Sequence, residues 1–229
     1  YEDSSRKPKN MNVAIVGCGA VAGNHLRVIR KMESLKVIAL CDKDDKVAAK
    51  MSNVWNVGSH YSNLSEMLNV ENISILSVCT PPESHASMAV EGIRHGVSVL
   101  IEKPLTINTN EADLILNSLK GSRVKLSVVY NWLFSEVMAK ALSLVNKGAV
   151  GEVLGMRVEC FHTKDDPMAS NENHWCHKLP GGRFGEMLPH PVYLQQSALG
   201  NNLKVSRVLT DKRGSHPWMR CDELHVVLP

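Results

Sequence analysis

The sequence predicts an α/β protein, with a doubly wound parallel sheet first and an α+β domain with a mostly antiparallel open sheet after it. Three observations carry that expectation. Short β-branched runs alternate with helix-spaced segments about five times before residue 130. A glycine-rich turn joins the first run to the first helix. Beyond Tyr130 the alternation stops and long polar loops appear.

Asn12–Val16 is a β-branched run ending at Gly17, bounded as a buried parallel strand would be. Val21, Leu26, Val28, Ile29 and Met32 then recur at mostly helical spacing from Ala20 to Met32. Lys36–Cys41 is the second strand, Lys46–Ser52 a helix, and Val57–Tyr61 a weaker third strand. A short helix over Ser62–Leu68 takes Ser62 as its N-cap. Ile73–Cys79 is a strand that stops at Thr80-Pro81-Pro82. The helix from Glu83 to His95 ends at Gly96, the residue type favoured just past a helix. Val97–Ile101, a helix over Asn108–Leu119 and a strand over Val124–Val129 complete this half.

In the second half Ser135–Asn146 is helical and Gly151–Phe161 alternates as a long strand. A polar loop runs from His162 to Gly185, and Met187–Leu199 is helical. Lys204–Thr210 and Glu223–Leu228 are strands. The domains are therefore a lead-in over 1–10, a dinucleotide domain over 11–129, and an α+β substrate and oligomerisation domain over 130–229.

Composition excludes several classes. Hydrophobic residues make up 44% and charged residues 21%, ordinary for a globular chain. The net charge of +3 comes with scattered Lys and Arg, so there is no basic stripe for nucleic acid. No apolar stretch approaches the roughly 20 residues that cross a bilayer, and the polar start has no signal-peptide core. The six cysteines form no C-x-x-C pair and read as reduced thiols, which points to the cytoplasm.

The glycine turn reads Gly17-Cys18-Gly19-Ala20-Val21-Ala22-Gly23. Between a strand and a helix this is the Rossmann dinucleotide fingerprint with Ala at the third position. Gly17 permits the tight turn, Gly19 lets the backbone approach the pyrophosphate, and Ala22 lets the helix pack closely. The helix N-terminus offers free N–H groups to the phosphates. Asp42 ends the second strand, where a carboxylate accepts from a ribose 2′-hydroxyl and repels a 2′-phosphate. This favours NAD. Lys43 softens the preference and keeps NADP as the second candidate.

Cys79-Thr80-Pro81-Pro82-Glu83-Ser84-His85, then Ala89, Gly92, Gly96 and Val97, then Glu102-Lys103-Pro104, resembles the glucose–fructose oxidoreductase/inositol dehydrogenase (Gfo/Idh/MocA) family. The resemblance runs from about Met11 to at least Gly200. It implies hydride transfer between NAD(P) and a hydroxyl-bearing carbon of a sugar, cyclitol or nucleotide sugar. It places Cys79, Thr80, Pro81, His85, Glu102 and Lys103 on the cofactor side, with Thr80, Pro81 and His85 near the nicotinamide-side ribose. It makes Lys103 the residue that polarises the reacting hydroxyl, with a peptide bond before Pro104 that is often cis. Independently, the C-terminal end of a parallel strand is where open α/β sheets place ligand contacts.

In Gly181-Gly182-Arg183-Phe184-Gly185-Glu186-Met187-Leu188-Pro189-His190 the resemblance makes His190 the general base and Glu186 its supporting acid. The i, i+4 spacing puts both on one helix face, and the near-neutral range of imidazole suits a base. The sequence departs from the family in three places. Glu186 stands where Asp is usual, Pro189 precedes His190, and Leu133 follows Asn131-Trp132 where Arg is frequent. Asn131, Trp175 and Arg183 are candidate substrate contacts, with Trp175 an apolar lid or a packing residue. The chain is short for the family, so its second domain reads as incomplete, and its sheet is expected to form a homodimer or tetramer.

His162, His174, Cys176 and His177, with Asp165 and Asp166, gather zinc-type ligands, but the spacing matches no usual pair, so no metal is assigned. Two rival readings stand beside a sugar dehydrogenase: a non-catalytic dinucleotide-binding regulatory or assembly protein, and a reductase of a non-sugar substrate.

Overall fold

The computed structural model describes residues 10–227, apart from 162, 164, 202, 213, 215, 220 and 222. The chain divides into two compact units, one ending at Val129 and one beginning at Tyr130. The first holds β1 (Met11–Val16), α1 (Ala20–Ile29), β2 (Leu35–Cys41), α2 (Asp45–Trp55), β3 (Ser59–Tyr61) and α3 (Leu64–Val70). It continues with β4 (Ile75–Val78), a 3-10 turn (Pro82–Ser84), α4 (His85–Arg94), β5 (Ser98–Ile101), α5 (Thr109–Leu119) and β6 (Leu126–Val128).

The strands form one parallel sheet in the order β3-β2-β1-β4-β5-β6. Successive side chains on β1 point to opposite faces. Ala14 and Val16 join Leu76, Val78, Val99 and Ile101 against α3, α4 and α5. Val13 and Ile15 join Leu40 against Ala22, Leu26 and Ile29 of α1 and Ala48 of α2. Both faces are thus covered, which is why these strands read as unbroken apolar runs. On α4, a Cβ at Gly92 would lie 3.1 Å from Leu76, so the missing side chain lets the helix sit close to the sheet.

Caps fix the helix starts. Asp44, Asn63 and Asn108 accept from backbone N–H groups in the first turns of α2, α3 and α5. The cap of α3 is Asn63, not the expected Ser62. Asn63 stands three residues before Glu66, whose N–H its side chain accepts. Gly96 at φ +74° closes α4 in the left-handed conformation expected there.

The second unit holds a 3-10 turn (Asn131–Phe134), α6 (Glu136–Asn146), α7 (Pro167–Ser170), a 3-10 turn (Trp175–Lys178), α8 (Gly182–Met187) and α9 (Pro189–Leu199). It ends with an antiparallel pair, β7 (Arg207–Asp211) and β8 (Glu223–Val227). The strand expected over Gly151–Phe161 does not form. The segment finds no ladder among the described residues, with Leu154 92% and Phe161 86% exposed. Alternation makes a segment able to enter a sheet, but a neighbouring strand must pair with it. The loop expected over His162–Gly185 contains α7, a 3-10 turn and most of α8; His162 lies outside the described residues.

The single helix expected over Met187–Leu199 is also corrected. Glu186 lies on α8 and His190 on α9, because Pro189 has no N–H to continue the ladder. Among the described residues no helix is long and apolar enough to cross a membrane.

Candidate functional site

The sheet order reverses between β1 and β4, and open α/β sheets bind ligands at the carboxyl ends beside that reversal. Gly17 follows β1 there. Its φ is +89°, and a Cβ on it would lie 2.7 Å from Cys79 C and Thr80 N. Glycine is required both by the backbone conformation and by the contact with the end of β4.

Gly19 is the N-cap of α1. Unlike the caps of α2, α3 and α5, it offers no side-chain bond, and the first turn holds no acidic residue. Nothing lies within 4 Å of a Cβ built at Gly19 or Gly23, and Ala20 and Val21 are exposed, so the turn is open around unshared helix N–H groups. Ala22 is fully buried against the sheet. These residues fit a dinucleotide pyrophosphate, with room, donors and a positive dipole end.

Asp42 directly follows β2. Its Oδ2 accepts from Cys18 N–H at 2.8 Å and its Oδ1 from Asp44 N–H at 3.0 Å. A carboxylate offers about four lone-pair sites, so these bonds orient it and leave capacity for ribose hydroxyls. Lys43 beside it is exposed. Cys18 is buried behind the turn; burial first, then Asp42, pushes its thiol up to about 12. Burial likewise pushes Cys41 up to about 11. Both stay protonated thiols, and all six cysteines are free of disulfides.

Thr80, Pro81 and partly exposed Cys79 follow β4. The Ser84 hydroxyl donates to Thr80 Oγ1 at 2.8 Å. Lys103 follows β5 and is half-buried, with a cis peptide to Pro104. His85, expected near the cofactor ribose, is fully buried. Its Nδ1 lies 2.8 Å from Pro104 O and its Nε2 2.8 Å from Thr80 O, one of the two donating.

Glu102 is held by a residue that no sequence motif singles out. His25 Nε2 lies 2.9 Å from Glu102 Oε1, and His25 Nδ1 lies 2.8 Å from Ser77 Oγ. Burial pulls the His25 imidazole down, but Cys79 first and Glu102 second outweigh that and raise it to about 10. A lone His at the second turn of an amphipathic helix carries no spacing signal; only the sheet order brings α1 beside the end of β5.

In the second unit His190 is buried. Its ring stacks on Trp132 with centroids 4.0 Å apart, and its Nδ1 lies 2.6 Å from Tyr193 Oη. Tyr193 Oη also accepts from Trp132 N–H at 3.2 Å and its ring stacks on Tyr130. A phenolic oxygen can accept twice, so Tyr193 Oη can take both the Trp132 N–H and a hydrogen from His190 Nδ1. Asn131, beside these rings, is exposed.

Glu186 and Arg183 are both buried and paired with each other, and Arg183 Nη2 also reaches Asp166 Oδ2 at 2.8 Å. Arg183 thus bridges two carboxylates and ties α8 to the cap of α7, since Asp166 Oδ1 accepts from Met168 N–H. Asp166 was visible in the sequence only as one of the acidic residues near the histidines. Trp175 is half-buried, its ring tilted against His174. Among the described residues no group of three or more His, Cys, Asp or Glu side chains is arranged to hold a metal.

A family model described as an oxidoreductase family with an NAD-binding Rossmann fold matches residues 11–130. An oxidoreductase of Formosa agariphila is 26% identical over 80% of this chain and 59% of its own. The structure of myo-inositol 2-dehydrogenase from Lactobacillus plantarum superposes with a TM-score of 0.80 at 23% identity, over 89% of this chain and 60% of that one. The WlbA dehydrogenase of Bordetella pertussis, in complex with NADH and UDP-GlcNAcA, gives 0.75 at 20%, over 93% and 64%. The chain therefore spans about three-fifths of the length of these relatives. With the fingerprint turn, Thr80-Pro81 and Glu102-Lys103-Pro104 set around the sheet reversal, and the family model covering more than half of the sequence, the chain belongs to the Gfo/Idh/MocA family of oxidoreductases with an NAD-binding Rossmann fold.

Proposed function

We propose that this chain acts as an NAD-dependent dehydrogenase on a hydroxyl-bearing carbon of a sugar, cyclitol or nucleotide sugar. One observation carries the reading: Lys103 stands at the carboxyl end of β5, on the same sheet margin as the fingerprint turn after β1. The myo-inositol and UDP-GlcNAcA named for the structural relatives support the substrate class.

Gly17–Gly23 and Asp42 bind the pyrophosphate and a ribose. NAD supplies the hydride acceptor when bound. Lys103 donates a hydrogen bond to the substrate hydroxyl oxygen and stabilises its developing negative charge. The family resemblance assigns His190 the part of general base, and Trp132 and Tyr193 fix its ring plane. The carbinol carbon thus loses a hydride and its oxygen loses a proton. Glu186 acts through Arg183, by holding α8 in place.

The test combines NADH titration by fluorescence with a screen of sugars, cyclitols and nucleotide sugars at 340 nm. NADH binding and turnover of one class are expected, with Lys103→Ala and His190→Ala each lowering kcat about 10²–10⁴-fold. Dinucleotide binding with no turnover across the screen favours the non-catalytic reading. Indistinguishable turnover by wild type and Lys103→Ala overturns the assignment.

A further inference from the structure

Lys103 is flanked on both sides by residues in the grip of a histidine. The residue before it, Glu102, places Oε1 2.9 Å from His25 Nε2. Both side chains are largely enclosed, at 11% and 17% exposure. The other nitrogen of His25 is 2.8 Å from Ser77 Oγ on β4, and Ser77 is fully buried. The residue after Lys103, Pro104, has its carbonyl 2.8 Å from His85 Nδ1. The other nitrogen of His85 lies 2.8 Å from the Thr80 carbonyl, and His85 is fully buried.

The two histidines come from different helices on opposite faces of the sheet. His25 sits on α1, six residues past Gly19, and His85 opens α4. Each spends one ring nitrogen on the segment around Lys103 and the other on β4 or the loop after it. The backbone of Glu102 adds a bond of its own to β4, N–H to Val78 O at 3.0 Å. A lysine on a loop without such anchors would swing its amine through several ångströms, whereas productive geometry tolerates about 0.5 Å.

We propose that His25 and His85 form a two-sided clamp that fixes the position of the Lys103 amine, His25 through the Glu102 carboxylate and His85 through the Pro104 carbonyl. They are positioning residues, since neither is assigned a contact with substrate. The clamp also gives α1 a second role, because the helix that opens at the fingerprint turn also anchors the residue next to Lys103. The proposal rests on the role given to Lys103 above, but part of its test needs no substrate.

That part is competitive acetylation by acetic anhydride at pH 8, read by mass spectrometry as the labelling of Lys103 relative to the exposed Lys46 and Lys50 of the same digest. Wild type is compared with His25→Gln, Glu102→Ala, their double variant, and His85→Gln. Glutamine at position 25 keeps polarity but removes the ring whose two nitrogens face Ser77 and Glu102. The ratio is expected to change at least twofold in each single variant, with the His25/Glu102 double variant changing no more than either single one. A general loss of structure moves all three lysines together and lowers Tm, so it leaves a different signature. Glu102→Ala, at the more open end of the clamp, serves if His25→Gln does not fold.

The second part is kinetic: His25→Gln and His85→Gln each lower kcat at least tenfold, and in His25→Gln KM for NAD stays within threefold. A Lys103 ratio within twofold of wild type in every folded variant overturns the clamp. So does a double variant whose effect is the sum of its singles, or an unchanged kcat in the clamp variants of an active enzyme. If the ratio moves as expected while the turnover screen fails, the clamp stands and the dehydrogenase reading falls.

Discussion

Asp42 serves the turn, beside the part in cofactor binding proposed for it. Its carboxylate takes the Cys18 N–H, one of the groups that shape the loop between β1 and α1. Asp42→Ala leaves that donor unsatisfied, for a loss of about 1–3 kcal/mol in unfolding free energy. Asp42→Asn keeps an acceptor on the turn and removes only the charge, so its melting temperature is expected to stay near that of wild type. Both variants should shift relative affinity from NADH toward NADPH in paired fluorescence titrations, because the repulsion of a 2′-phosphate is gone. Tighter NADPH than NADH binding by wild type contradicts this role. Residues such as Gly17, Asp42 and Lys103 were legible in the sequence because each sits at a fixed offset from a strand end. His25, Ser77, Trp132 and Tyr193 were not, because their partners lie 52 and 77 residues away for His25 and 61 for the Trp132–Tyr193 bond.

Between elements, His25 joins α1 to the end of β4 and the turn after β5, where Cys79 first and then Glu102 raise its imidazole, so the strength of this junction depends on pH. The folded imidazole titrates near 10, above its ordinary 6.5. A group raised in this way stabilises the fold fully below about pH 6.5, and that stabilisation fades as pH rises through about 10. His25→Gln should therefore melt several degrees below wild type at pH 6, with the gap closing toward pH 10. A gap that stays constant over that range shows that the junction does not titrate as described. The parallel strands were legible because both of their faces are buried and glycine, proline or acid bounds them. The Gly151–Phe161 strand was not, since alternation says nothing about whether a partner lies alongside. The separation of Glu186 from His190 was foreshadowed by Pro189, but i, i+4 spacing describes a face only while the hydrogen-bond ladder runs unbroken.

At the scale of the whole molecule, the two units differ in how their backbone bonds are protected. The first unit carries six paired strands between two layers of helices. The second has an exposed β7 in a two-stranded ribbon and the segment 151–161, which joins no ladder among the described residues. Limited chymotrypsin digestion should cut first within 151–161, at Leu154 or Phe161, and leave a resistant fragment containing β1–β6. Initial cleavage inside residues 10–129 goes against this ordering. The bare N-cap at Gly19 has a consequence for how the molecule responds to its surroundings. Helices α2, α3 and α5 bring their own terminators, whereas α1 borrows one from solution, so dinucleotide supply becomes a component of folding stability. At a hundredfold excess over Kd that component is about 2.7 kcal/mol. Saturating NADH is therefore expected to raise the melting temperature of the chain and to slow its proteolysis.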